Sequence, residues 1–364
     1  MLCMHHLAVH EIDHGNDLKR KVLQKKLSTI FVCEFITAGG FNHADLPEYL
    51  VREGMMMRDA LLRDLSALPY EIHTTVDARI SVPGIGYSAI VVEKNDDVWQ
   101  VWERVIQAAD AVWLIAPETD GYLKKLTELA ARYKKTIFGC NLESIQVTSS
   151  KLATYHALNK AGIATIPTYT IDHWPKGEGD LSSQSNWLAK PDDGAGCSDT
   201  VWFKTAEEVA RWVSANNKAV SHVIQPYQTG VPASISCVMH CGKAHVLSCN
   251  KQLIEMNNHQ LSYHGSVVNG MREYFSPFEA VANKIAQAMP DLAGYVGIDV
   301  IVEDDKVIVV EINPRLTTSY AGLAAAIGAN PAELIINTLT QENYTWPKLV
   351  QNLKLVQNKV ELNV

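Results

Sequence analysis

Residues 28–145 alternate between short apolar runs and longer amphipathic stretches. The run Thr29–Phe35 is rich in β-branched and aromatic residues and predicts a strand. In the next stretch, Leu46–Leu68, leucines recur at helical spacing and Pro69 follows, which predicts an amphipathic helix. Further strands are predicted at 70–76, 89–92, from 111 and at 136–140, with helices at 98–109 and 123–133. Strands that alternate with helices indicate a mostly parallel sheet, hence an α/β domain.

Polar and glycine residues lie at the carboxyl end of the first predicted strand, and they are candidate substrate contacts: Glu34, Thr37, Gly39 and Gly40. Ligands of open α/β sheets bind at the carboxyl ends of strands, where Glu34 is expected to pair with a substrate ammonium group. Glu118 ends a later strand and is a further candidate for a substrate or ATP contact. A tight turn that requires glycine explains the Gly-Gly pair equally well, and the spacing of a dinucleotide site is missing.

Two β-branched runs flank an acidic turn between residues 299 and 313, which predicts a β-hairpin. A three-residue loop, Asp304–Lys306, would place Glu303 opposite Val307 and Asp299 opposite Glu311. Side chains alternate faces along a strand, so Glu311 and Asn313 share a face.

The hairpin pattern brings together three hard oxygen donors, Asp299, Glu311 and Asn313. Such donors suit Mg²⁺ or Mn²⁺ held together with substrate phosphates. Arg315 follows directly, and a planar cation beside a divalent metal suits a transferring phosphoryl group. The alternative is a solvated strand end with exposed acids.

Two lysines lie beside segments that favour anion binding, one at the start of a predicted helix and one before a glycine-rich loop. Lys151 begins a predicted helix, where a cation is unfavourable for the helix dipole unless an anion lies nearby. Lys190 ends a predicted strand and is followed by a glycine-rich loop with Gly194, Gly196 and Ser198. Backbone N–H groups of such a loop can approach phosphate oxygens. The loop is not a Walker A motif, because no Gly-Lys-Ser/Thr closes it.

Composition narrows the function class. The 364 residues are 47% hydrophobic and 20% charged, with a net charge of −8 and no basic block, so nucleic-acid binding is not indicated. No apolar run approaches 18 residues and the N-terminus lacks a signal-peptide layout, so we expect a cytoplasmic protein without a membrane span. Seven cysteines without a Cys-x-x-Cys fit reduced thiols. The histidines of residues 1–27 invite a metal site, but loosely ordered termini commonly have such composition.

Three motifs resemble those of the ATP-grasp ligases. The hairpin reads Asp-x-x-x…Val-Glu-Ile-Asn-Pro-Arg, and about a hundred residues earlier stands Lys-Pro followed by Gly-x-Gly. Within these ligases the chain is most similar to the carboxylate–amine ligases near the tyramine–glutamate ligase group, which Glu-Phe-Ile-Thr-x-Gly-Gly at residue 34 resembles. The resemblance covers about residues 28–340.

The resemblance implies a mixed α/β and α+β protein: an ATP-grasp fold behind an N-terminal Rossmann-like, pre-ATP-grasp parallel-sheet domain. The predicted units are an N-terminal extension, the pre-ATP-grasp domain, two ATP-grasp lobes and a C-terminal tail, at residues 1–27, 28–145, 146–228, 229–340 and 341–364.

The resemblance also implies roles for individual residues. Lys151 and Lys190 would contact ATP phosphates, and the hinge at Gln225 and Tyr227 would bind adenine through its main chain. An acid for the ribose is missing there. Arg315 and Arg272 would stabilise the transferring group.

The implied reaction uses ATP with Mg²⁺ or Mn²⁺ to join a small-molecule carboxylate to an amine, with glutamate and tyramine as the implied pair. Alternatives are a ligase for other amino-acid or peptide substrates and a non-catalytic nucleotide-binding module. A homodimer is left open.

Overall fold

This computed structural model describes residues 27–82, 84, 86–174, 186–194, 199–216, 221–257, 260–349 and 359–361. The histidines of the N-terminal extension, Gly196, Ser198 and most of the C-terminal tail lie outside the described residues. No helix in the described ranges is long and apolar enough to cross a membrane.

The N-terminal half forms a five-stranded parallel sheet in the order β3-β2-β1-β4-β5. The sequence prediction of a parallel α/β domain is therefore confirmed. The strands are β1 Thr29–Glu34, β2 Glu71–Asp77, β3 Ser88–Val92, β4 Ala111–Ile115 and β5 Thr136–Ile137. The helices are α1 Glu48–Ser66, α2 Val98–Ala108 and α3 Tyr122–Arg132.

Alternation along β1 explains how this sheet is covered on both faces. Phe31 and Cys33 join the core that contains Trp102 of α2. Ile30 and Val32 join the other core, with Leu61 of α1. Because successive side chains point to opposite faces, one apolar strand can support helices on both sides.

Two helices connect the sheets. They are α4, Leu142–Thr148, and α5, Lys151–Lys160. The Ser150 hydroxyl caps α5, since it accepts a hydrogen bond from the Ala153 N–H at 3.0 Å. Helix α4 has only seven residues and was not predicted from the sequence.

The second sheet has ten strands, and all its pairings are antiparallel. Its path is β14-β13-β10-β11-β12-β8-β7-β9-β6, and β15 pairs with β12. The strands are β6 Tyr169–Thr170, β7 Trp187–Pro191, β8 Val201–Phe203, β9 His222–Pro226, β10 Val231–His240, β11 Lys243–Asn257, β12 Gln260–Val267, β13 Gly294–Glu303, β14 Lys306–Asn313 and β15 Lys359–Glu361. The helices are α6 Ala206–Ala215, α7 Phe275–Ala288, α8 Leu323–Ile327 and α9 Pro331–Thr340.

Strand β12 is not apparent from the sequence, because many of its side chains are polar. It pairs with the carboxyl-terminal part of β11, and main-chain hydrogen bonds to that strand decide its conformation.

The acidic hairpin has the predicted pairing but a different turn. Glu303 pairs with Lys306, so the loop contains only Asp304 and Asp305, both with positive φ, and the predicted three-residue loop is wrong. A bulge between Asp299 and Val300 shifts the register by one residue and restores the pairing of Asp299 with Glu311. The positive φ angles of 45° and 65° match a two-residue hairpin turn.

Candidate active site

The paired strands β13 and β14 hold two carboxylates side by side. Asp299 lies opposite Glu311, and Asn313 lies opposite Gly297. The Asn313 amide donates to Asp299 Oδ2 at 3.3 Å, and the Gln252 amide donates to Asp299 Oδ1 at 2.8 Å. The three side chains that the sequence predicted as metal ligands are therefore close together.

Neighbouring charges shift the pKa values of Asp299 and Glu311 in opposite directions. Burial and the charge of Glu311 raise the pKa of Asp299 well above its usual range. Burial also acts to raise the pKa of Glu311, but the positive charges of Lys151 and Lys190 outweigh it and lower that pKa. Two buried carboxylates at one place cannot both be negative without further positive charge.

The donor set therefore fits a divalent cation. Two carboxylates and one amide oxygen are hard ligands, and Asn313 lies two residues from Glu311 on the same face of β14. Among the described residues, no group of three or more His, Cys, Asp or Glu side chains could hold a metal. A cation here would therefore need ligands from a bound molecule, and phosphate oxygens suit that role.

Lys151 connects helix α5 to the acid pair and to the glycine-rich loop. Its ammonium nitrogen lies 3.5 Å from Glu311 Oε2 and donates to the Gly194 carbonyl at 2.5 Å. The Leu152 N–H donates to Asp192 Oδ1 at 2.9 Å, which fixes the start of the loop against the first turn of α5. Lys190 is buried on β7 and acts electrostatically on Glu311. Both predicted lysines thus converge on one carboxylate.

Arg315 makes a buried ion pair with Glu118 of the N-terminal domain. The guanidinium Nε and Nη2 donate to Glu118 Oε2 at 3.1 and 2.8 Å. Burial lowers the pKa of Arg315, but the charge and hydrogen bonds of Glu118 raise it more, with Glu311 adding to the effect. Glu118, a candidate for a substrate or ATP contact from its sequence position, is paired in the structure with the predicted catalytic arginine.

The loop that carries Glu118 also contacts the glycine-rich loop. The Thr119 hydroxyl donates to the Asp193 carbonyl at 3.3 Å, and the Asp120 N–H donates to Asp193 Oδ2 at 3.2 Å. Asp120 has a φ of 56°, a left-handed conformation that aspartate tolerates. One loop of the first domain therefore contacts two predicted phosphate-binding parts of the second.

The predicted adenine hinge lies at the end of β9. Gln225 is buried, and its amide nitrogen donates to the Thr168 hydroxyl at 2.7 Å. Its side-chain oxygen has no partner among the described residues. The Tyr227 N–H donates to the Asn186 carbonyl at 2.9 Å. The nucleotide contacts of Gln225 and Tyr227 stay predictions.

The structure gives Glu34 a partner within its own loop. It is 2% exposed, and it accepts hydrogen bonds from the Thr37 N–H and hydroxyl at 2.8 and 2.7 Å. A Cβ on Gly54 of α1 would lie 2.4 Å from Glu34 Oε2, so α1 covers the carboxylate. The prediction that Glu34 meets a substrate ammonium group finds no support in this placement.

Gly39 and Gly40 are tightly packed in the π-helical turn Ile36–Gly40. Gly39 has a φ of 99°, and a Cβ there would lie 2.8 Å from Val92. A Cβ on Gly40 would meet the Phe35 ring at 2.5 Å. Close packing thus accounts for this glycine pair, and its substrate contact stays a prediction.

Arg272 lies away from its predicted partners. It lines a small pocket of about 120 Å³ with apolar residues that include Val246, Leu247 and Phe275. Within the described ranges it makes no side-chain hydrogen bond or ion pair with Asp299, Glu311 or Arg315. Its catalytic role stays a prediction.

Sequence reasoning missed several residues near the acid pair. Gln252 on β11 donates a hydrogen bond to Asp299. Asn250, two residues earlier on β11, is paired through Ser234 of β10 with Asp299, so a spacing of two places Gln252 on the same face of the sheet. Tyr263 on β12 and Thr318 share a hydrogen bond at 3.1 Å, and Glu53 of α1 acts electrostatically on Arg315. Nothing in the local pattern around Glu53 separates it from the other surface charges of an amphipathic helix.

Comparisons with known proteins agree with this arrangement. The family profile described as an ATP-grasp domain matches residues 148–319, and the one described as a pre-ATP-grasp domain matches residues 70–145. A protein of Methanocaldococcus jannaschii named tyramine–L-glutamate ligase is 26% identical over 324 residues, which cover 87% of this chain and 91% of that protein. Its namesake from Methanocaldococcus fervens is 27% identical and is covered to 96%.

Solved structures show the same fold. An ATP-grasp superfamily protein from Archaeoglobus fulgidus has a TM-score of 0.63 at 26% identity, covering 85% of this chain and 88% of that one. An L-amino acid ligase from Bacillus licheniformis has a TM-score of 0.61 over 87% of this chain and 75% of that one, and its 14% identity supports the fold alone. With both domain types matched in order and the acid pair, lysines and arginine brought together, the chain contains a pre-ATP-grasp domain followed by an ATP-grasp domain and is similar over 87% of its length to two proteins named as ligases.

Proposed function

We propose that this enzyme uses ATP to join a carboxylate to an amine, and that its substrates are glutamate and tyramine or a related aromatic amine. The observation that carries the proposal is the pair Asp299–Glu311 with Lys151 and Arg315 beside it. This is a charge arrangement suited to a phosphoryl group in transfer. The proposed substrates rest on the names of the two methanogen relatives.

The reaction proceeds in two balanced steps. A carboxylate oxygen of the donor attacks the γ-phosphorus of ATP, and the bond to the β-phosphate oxygen breaks to release ADP. The amine nitrogen then attacks the acyl carbon, the bond to the phosphate oxygen breaks, and the nitrogen loses a proton. The protein supplies alignment and charge, so no protein nucleophile is required.

Individual side chains have separate tasks in this scheme. Asp299, Glu311 and Asn313 would hold Mg²⁺ or Mn²⁺, which supplies charge neutralisation to the phosphates when bound. Lys151 and Lys190 orient the phosphate chain, since both lie beside Glu311. We propose that Arg315 stabilises the phosphoryl group during transfer, and Glu118 holds its guanidinium in place.

ADP release in the presence of carboxylate–amine pairs tests the proposal. Glutamate with tyramine should release ADP and inorganic phosphate and form one amide per ADP. Asp299→Asn should abolish most of this turnover, whereas Glu128→Gln, an exposed residue of α3, should not. Nucleotide binding without turnover across a broad panel would favour a non-catalytic module. Turnover with other amino acids, but not with glutamate and tyramine, would support the proposed reaction and contradict the proposed substrates.

A homodimer and a cytoplasmic location complete the proposal. Ile90 and Val91 on the edge strand β3 are each 42% exposed, and an apolar sheet edge suits pairing with a second copy. Free cysteines in the described part of the chain, such as Cys140 and Cys249, favour a reducing compartment. Sedimentation velocity of wild type and of Ile90→Lys tests the dimer.

A further inference from the structure

Gln252 reaches Asp299 across two strand spacings of the antiparallel sheet. Its amide nitrogen donates to Asp299 Oδ1 at 2.8 Å, although β10 lies between β11 and β13. Two strand spacings amount to about 10 Å, so only a long side chain can make this contact. Ser234 of β10 lies opposite Asp299, and its small side chain leaves room for the glutamine to extend towards the carboxylate. The order of small and long side chains on this face therefore brings Gln252 to a predicted metal ligand.

Asp299 accepts a hydrogen bond from one amide on each of its two oxygens. Gln252 donates to Oδ1, and Asn313 donates to Oδ2 at 3.3 Å. An ionised carboxylate has about four acceptor positions, so both oxygens can still bind a cation. Asn313 is itself a predicted metal ligand, and its oxygen rather than its NH₂ group would face a metal ion. Gln252 is therefore the donor that can keep its bond to Asp299 while a cation is bound.

The neighbours of Gln252 fix the position from which it donates. On the side away from Asp299, strand β12 places Ser266 opposite Gln252. Ser266 is fully buried, and its hydroxyl oxygen lies 2.9 Å from that of Ser319, which follows β14. Two residues earlier on β11, the Asn250 amide donates to the Ser234 hydroxyl at 3.3 Å. Gln252 thus projects from a strand that is paired on both sides, and a side chain on such a rigid element is preorganised.

The neutral charge of an amide suits this position. Positive charge is already present on the other side of the acid pair, where the Lys151 ammonium nitrogen lies 3.5 Å from Glu311 Oε2. A further cationic side chain beside Asp299 would compete with a metal ion for the carboxylate, and an acidic side chain would repel it. An amide orients the Asp299 carboxylate and leaves its negative charge available to a divalent cation.

We propose that Gln252 is a positioning residue that holds the Asp299 carboxylate in the orientation that a divalent cation requires. This inference rests on the proposed function, in which Asp299 is a metal ligand, and it adds a residue of β11 to the site formed by the acidic hairpin. Loss of such a hydrogen bond to a metal-binding carboxylate lowers metal affinity or activity about 10- to 100-fold. The defect should concern the metal ion, and the affinity for nucleotide without metal should stay unchanged.

Calorimetric titration with a non-hydrolysable ATP analogue, once with Mg²⁺ and once with EDTA, tests the inference without turnover. Gln252→Met keeps the length of the side chain and removes its donor. With EDTA the variant should bind the analogue like wild type, and with Mg²⁺ it should bind about 10- to 100-fold more weakly than wild type. Gln287→Met is the matched control, because Gln287 is an exposed residue of α7. The control should bind like wild type under both conditions.

Steady-state kinetics and a second variant separate positioning from a structural role. Gln252→Met should raise the Mg²⁺ concentration for half-maximal ADP release about 10- to 100-fold, and excess Mg²⁺ should restore most of kcat. Excess Mg²⁺ should not rescue Asp299→Asn, because there the ligand itself has lost its charge. Gln252→Asn keeps the amide but is one methylene shorter, so it should show the same defect as Gln252→Met. The asparagine variant also tests the inference if methionine disturbs the packing.

Three results would overturn the role of Gln252. They are wild-type affinity of Gln252→Met for the analogue with Mg²⁺, an equal loss of affinity with Mg²⁺ and with EDTA, and a wild-type Mg²⁺ requirement in Gln252→Asn. Amide formation by Gln252→Met at the wild-type Mg²⁺ requirement would support the proposed reaction and contradict the positioning role. A loss of affinity confined to Mg²⁺, without ADP release from any carboxylate–amine pair by wild type, would support the positioning role and contradict the proposed reaction.

Discussion

The buried pair Glu118–Arg315 predicts a measurable link between domain stability and catalysis. The two side chains are 7% and 12% exposed, and one carboxylate oxygen accepts both hydrogen bonds. Removal of one partner of a buried ion pair costs about 3–5 kcal/mol. Glu311 and Glu53 also attract Arg315, which puts Glu118→Ala at the low end, about 3 kcal/mol.

Glu118→Gln should cost less, because the amide oxygen can still accept from Arg315. A neutral hydrogen bond contributes about 1 kcal/mol, which leaves a loss of about 2 kcal/mol. The second oxygen of Glu118 is buried without a partner among the described residues, so the new NH₂ group breaks no existing bond. Turnover should fall about tenfold or more, since the guanidinium loses its fixed position.

Urea unfolding followed by tryptophan fluorescence measures the first part, and ADP release measures the second. The comparison should use the first resolved transition, because a chain of two domains need not unfold in one step. Glu128→Gln removes an exposed pair with Lys124 and should change stability by less than about 0.5 kcal/mol. Wild-type stability together with wild-type turnover in Glu118→Gln would refute the role given to this pair.

Three further perturbations have defined outcomes. Glu311→Gln should reduce kcat about 100- to 1,000-fold with secondary structure unchanged by circular dichroism, and near-wild-type turnover at ordinary Mg²⁺ would remove it from the metal site. Gly54→Ala should lower the free energy of unfolding by about 1–3 kcal/mol, because its Cβ would lie 2.4 Å from Glu34; an unchanged urea midpoint would contradict this packing. Burial, and to a lesser degree the charge of Lys243, lowers the pKa of His245, whose ring stacks on Trp346 with 4.2 Å between the ring centroids. The folded state therefore binds a proton less readily than the unfolded state. The free energy of unfolding should fall as the pH drops below about 6.5. His245→Phe should weaken this acid dependence, and an identical slope of stability between pH 7 and 5 would exclude His245 as its source.

Local pattern alone determined the acid hairpin and the parallel domain. Alternation by two along β14 places Glu311 and Asn313 on one face, and this relation holds in any strand. The pairing of Asp299 with Glu311 was predicted correctly although the predicted turn was wrong, because the bulge between Asp299 and Val300 compensates for the shorter loop. Bulges depend on cross-strand packing and leave little trace in a single strand's sequence.

Contacts between distant segments were decided only by the tertiary structure. Glu118 and Arg315 are 197 positions apart, and no periodicity relates them. Glu34 ends an ordinary strand pattern, yet Gly54 of α1 packs against its carboxylate and covers it. Sequence spacing determines which face a side chain occupies within its own element, whereas the neighbour on that face depends on how the elements pack together.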